Sequence, residues 1–108
     1  MEIKEVIKQI TDKLIENLNV DKEVSHIERI IQSKEYLVVQ FRLIIKGDEL
    51  SDGLSLDLVG KLIDNYNTLL QSKILDKKLK AMHIKLLEVS PSYNYAHFNV
   101  AILLERGE

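Results

Sequence analysis

A chain of 108 residues with 45% hydrophobic side chains has the length of one domain and enough apolar mass for one continuous core. Its formal charge of −2, set among 30% charged residues, gives no bulk attraction to phosphate backbones or anionic lipid. The absence of cysteine excludes disulfides, thiolate nucleophiles, iron–sulfur ligation and cysteine-based zinc sites, so packing must hold the fold.

The opening run Met1-Glu2-Ile3-Lys4-Glu5-Val6-Ile7-Lys8 interleaves charges with apolar residues, unlike the basic-then-apolar order of a secretory signal. Apolar stretches such as Leu43 to Ile45 and Val100 to Leu104 fall far short of the roughly 20 residues a spanning helix requires. The expectation is an intracellular, cytoplasmic protein. Ile3, Val6, Ile7, Ile10, Leu14 and Leu18 recur at three- and four-residue steps, which predicts an amphipathic helix ending near Asn19. Residues 20–33 fit two readings. Val20, Val24, Ile27 and Ile31 suit a helix, while the β-branched content suits a strand, and strand is favoured because the next segment needs a partner.

That segment alternates Leu37, Val39, Phe41, Leu43 and Ile45 with Tyr36, Val38, Gln40, Arg42 and Ile44, and so reads as a strand with one face in the core. Lys46 to Gly53 concentrates turn formers and charges, and Ser55 is placed to cap a second helix with the stripe Val59, Leu62, Ile63, Tyr66, Leu69 and Leu70. Gly60 inside that helix costs about 1 kcal/mol against alanine unless close packing needs it. After a lysine-rich connection, Met82, Ile84 and Leu86 mark a third strand, Ser90-Pro91-Ser92 a turn, and Ala96, Phe98, Val100, Ile102 and Leu104 a fourth strand. The expected fold is α+β: a single α-β-β-α-β-β domain over 1–108, with a four-stranded, mainly antiparallel sheet and two helices on one face.

The glycines never fall into a phosphate-binding spacing, and neither a nucleophile elbow nor a His-Glu-x-x-His pair is present. No enzymatic activity, cofactor or metal is expected. His83 and His97 lie on neighbouring strands and could share a metal, but without a third ligand at a fixed spacing they read as ordinary half-exposed residues. Asp48, Glu49 and Asp52 read as the polar content of a loop rather than an acid–base pair. Lys73, Lys77, Lys78, Lys80 and Lys85 form the one basic cluster; a solvated surface is favoured over phosphate contact. Tyr93 and Tyr95 flank Asn94 at the last hairpin turn, where aromatics pack across it.

The face opposite the helices would still carry Tyr36, Val38, Ile44, Leu87, Ala101 and Leu103, and so short a chain has nothing left to cover them. Such a face suggests a protein partner, most economically another copy of the chain. The succession of an N-terminal helix (Glu2 to Leu18), the alternating strand 36–46, a polar loop, a helix (Leu56 to Gln71) and two closing strands, the last being His97 to Arg106, resembles the tail-terminator or tail-completion proteins of long-tailed bacteriophages. Members of that family often carry an extra proline-containing strand for which residues 20–35 are short. The resemblance implies a non-enzymatic virion assembly protein that forms a ring, commonly a hexamer, at the head-proximal end of the tail tube beside other virion proteins. The alternative is a small viral or mobile-element accessory module that meets nucleic acid or a protein partner, using the lysine cluster for any phosphate contact.

Overall fold

In a computed structural model, which describes residues 3–106, the chain forms two helices and an antiparallel sheet in the order α1 (Ile3–Leu14), β1 (Asp21–Gln32), β2 (Tyr36–Lys46), α2 (Leu56–Leu70), β3 (Lys73–Ile74), β4 (Lys77–Ser90) and β5 (Tyr95–Glu105). The sheet has five strands in the order β1-β2-β5-β4-β3, so the last strand of the chain is inserted between the two hairpins. Four strands were expected. The addition is β3, a two-residue strand within the lysine-rich connection, where Lys73 faces Lys78 and Ile74 faces Lys77. Leu75 and Asp76 close this hairpin with φ of 51° and 65°. A two-residue turn with positive φ at both positions normally advertises itself through Asn-Gly, and Leu-Asp carries no such signal.

The strict alternation of β2 and β5 becomes alternate burial. Leu37, Val39, Phe41, Leu43 and Ile45 on β2, and Ala96, Phe98, Val100, Ile102 and Leu104 on β5, are buried, while the residues between them are half-buried or exposed. Val6, Ile7, Ile10 and Leu14 of α1 and Leu58 and Leu69 of α2 join the same core, so both helices lie on one face of the sheet. Helix α1 stops at Leu14, short of Asn19, and Asn17 takes the left-handed conformation that turns the chain toward β1. Helix α2 is capped as expected: the Leu58 N–H donates to Ser55 Oγ at 3.1 Å. Its stripe is rotated from the expected one, since Leu58 is buried and Ile63 is 53% exposed.

Within residues 20–33, where strand was favoured over helix, Asp21–Gln32 form the strand β1, and both β1 and β4 are bulged. β1 shifts register between Val24 and His26 and between Ile27 and Arg29; β4 shifts between Leu79 and Ala81 and between Leu86 and Glu88. Bulges increase local twist and interrupt the outer ladder. The sheet curls around α1, which meets β3 at one edge, while Lys22 of β1 reaches it from the other. At the end where β1 begins, Gly47 admits no side chain, because a Cβ there would lie 2.9 Å from the Asn19 carbonyl oxygen. Among the described residues, no helix is long and apolar enough to cross a membrane.

Candidate functional site

The face of the sheet turned away from the helices is covered by no other described element. None of its side chains on β2 or β5 packs into the core cluster. Antiparallel register brings its residues together in rows across the strands. At the end where β1 meets β2, Ile31 stands opposite Val38, Val38 opposite Leu103, and Leu103 opposite Ala81. Tyr36 and Ala101 adjoin this row along their own strands, and the result is an apolar patch spanning β1, β2, β5 and β4. Ile31 is 49% exposed and Tyr36 37%.

Of the residues expected on this face, Tyr36, Val38, Ala101 and Leu103 belong to the patch. Ile44 stands apart, between Glu23 and His97 toward the opposite end of the sheet. Leu87 sits at the β4 bulge between Leu86 and Glu88, outside the patch. Ile31 and Ala81 complete the patch and were not expected there, because the bulges in β1 and β4 reset which residues face outward.

The middle of the same face is polar. Glu28, the extra residue of a β1 bulge, pairs with Arg42 Nη2 at 2.8 Å, accepts from Gln40 Nε2 at 3.3 Å and lies 3.3 Å from His26 Nε2. Arg42 faces Asn99, and His97 is two residues along β5 on the same side. Arg42 Nε, Asn99 Oδ1 and His97 Nε2 are shielded from solvent and have no hydrogen-bond partner among the described residues. Near the β4–β5 turn, Tyr95 donates to Glu88 Oε1 at 3.1 Å, and this hydrogen bond pushes the phenol's pKa up.

His83 and His97 do share this face, yet they are not brought together. His83 stands opposite Ala101, four residues along β5 from His97, which places them roughly 13 Å apart along the strand, too far for one metal ion. No group of three or more His, Asp or Glu side chains able to hold a metal occurs among the described residues. Asp48 and Glu49 lie in the loop after β2, where Glu49 accepts from the Asn19 N–H at 3.0 Å and braces the α1–β1 connection. Lys73, Lys77, Lys78 and Lys80 gather at the β3–β4 hairpin, while Lys85 lies farther along β4, opposite Asn99. Tyr93 is 77% exposed.

A second surface lies at the β1 edge of the helix side. Between α1 and β1 runs a groove of about 460 Å³ with Ile7, Val24 and Ile27 as its apolar lining and Lys4, Lys8 and Lys22 along it. Compared with known proteins, the chain matches no family model, no curated protein and no solved structure.

Proposed function

We propose that the protein is a non-enzymatic assembly protein that self-associates through the bare face of its sheet, in the manner of the phage tail terminators that its element order resembles. The observation that carries this reading is the apolar patch of Ile31, Val38, Leu103 and Ala81 with Tyr36, assembled from four strands on a face with no cover. Full burial of such a side chain contributes about 1.5 to 3 kcal/mol, and half-buried residues have roughly half of that left to gain. Association itself costs about 4 to 15 kcal/mol, so the residues must act as a patch. Bulges in β1, an edge strand, and in β4, which β3 covers only at Lys77 and Lys78, disfavour edge-to-edge pairing. Assembly takes place in the cytoplasm, among other virion proteins, and a hexameric ring is the form the resemblance implies.

Light scattering across protein concentration tests this. The wild type is expected to exceed the monomer mass as concentration rises, and Val38→Glu/Leu103→Glu to remain a folded monomer. A wild type that is monomeric at every concentration, with no ring by electron microscopy, would refute the reading. A second reading, an accessory module contacting nucleic acid, draws on the convergence of Lys73, Lys77, Lys78 and Lys80 at one hairpin. Tight duplex binding at about 150 mM salt, abolished by neutralising Lys77, Lys78 and Lys80, would favour it instead.

A further inference from the structure

Among the described residues, the most exposed large apolar side chain is Leu56, at 91%, the first residue of α2. A leucine that open at a helix start contributes nothing to its own fold. The residues around it, between Lys46 and Lys61, include Asp48, Glu49, Asp52 and Asp57; Asp57 pairs with Lys61 at 3.3 Å and Glu49 accepts from the Asn19 N–H, while Asp48 and Asp52 of the preceding loop have no side-chain partner among the described residues. The groove between α1 and β1 has the opposite character, with an apolar lining of Ile7, Val24 and Ile27 and the lysines Lys4, Lys8 and Lys22. Asp12 is ion-paired to both Lys8 and Lys22, so one carboxylate is shared between two ammonium groups there and the rim stays positive.

Leu56 is absent from the residues that line the groove, and at 91% exposure it does not fill the groove of its own chain. A contact between different patches of identical chains is head-to-tail, and such contacts close into rings or run on as filaments.

We infer that Leu56, with Asp48 and Asp52 of the loop before it, seats in the lysine-rimmed α1–β1 groove of a second copy of this chain, forming the head-to-tail contact of the assembly. This rests on the self-association reading but uses a surface distinct from the bare sheet face. The absence of native cysteine makes a direct test clean. Leu56→Cys and Ile27→Cys single variants, mixed and mildly oxidised, are expected to give a disulfide-linked species of twice the monomer mass, and the double variant a ladder of multimers. An Ile63→Cys variant, farther along the same helix, serves as control and is expected to cross-link to Ile27→Cys far less. Leu56→Cys pairing mainly with itself, equal capture by the control, or no cross-link in a protein that otherwise oligomerises would overturn the contact while leaving self-association intact. If Val38→Glu/Leu103→Glu remains oligomeric while the cross-link persists, the bare-face reading fails and the groove contact stands. A wild type that is always monomeric removes both.

Discussion

Lys22, near the start of β1, donates from its ammonium to Thr11 Oγ1 at 2.7 Å, and so ties an edge strand of the sheet to the one buried polar side chain among the described residues. Thr11 in turn donates to the Ile7 carbonyl at 2.9 Å within α1. Thr11→Val keeps the shape and removes both bonds, leaving a partly buried ammonium without this acceptor. The expected loss is about 0.5 to 1.5 kcal/mol in denaturant unfolding. A variant as stable as wild type would show that the bond contributes nothing.

The same lysine, with Lys8, sets an acid-dependent contribution. Hydrogen bonds from Lys22 and then from Lys8 hold the Asp12 carboxyl below the usual carboxylate range. A group whose pKa is lower in the folded than in the unfolded chain stabilises the fold above its unfolded value, about 3.9, and loses that effect as pH falls through the folded value. The Asp12 side chain is 47% exposed, so the contribution at neutral pH stays below about 1 kcal/mol. Thermal melts should show wild type above Asp12→Asn near neutral pH, with the gap closing as pH drops below about 4.

Val38 and Val39 are adjacent in sequence and opposite in consequence. Val39 is fully buried against the helices, whereas Val38 faces out beside Leu103. Val39→Glu places an unpaired carboxylate in the core and should abolish folding; Val38→Glu should leave circular dichroism and melting temperature near wild type. The reverse outcome would mean that the helices lie on the other face.

Gly60 lies inside α2, and a Cβ built there meets nothing within 4 Å. Packing gives no reason for glycine at this position. Gly60→Ala should therefore stabilise the protein by about 0.5 to 1 kcal/mol, seen as a raised denaturation midpoint. A destabilised variant would show that the helix axis depends on glycine in a way its free space does not reveal.

The inner face of the sheet was legible because β2 and β5 keep an unbroken period of two, and the Ser55 cap because a serine before an apolar run has a local mechanism. Parity along β1 and β4 was not. After the bulges at Ser25 and Glu28, Ile27 and Ile30 both fall on the helix side and Ile31 on the bare side, a pattern no fixed period reproduces. Strict alternation therefore leaves Ile31 and Ala81 out of the patch and puts Ile44 with residues far from it. The α1–β1 groove is a tertiary product of curling, and nothing local in the sequence signals it.

The insertion of β5 between β2 and β4 has a temporal side. Tyr36 pairs with Glu105, and Arg106 reaches back to the β1–β2 turn, its N–H donating to the Glu35 carbonyl at 2.7 Å. Every other strand precedes β5 in the chain, so a ribosome releases both flanking strands before the one that joins them. Until residue 105 is available, β2 and β4 present open inner edges and the core lacks its central strand. Pairings of such long sequence separation are slow to form, and an incomplete chain would expose sticky strand edges instead of a smaller stable fold.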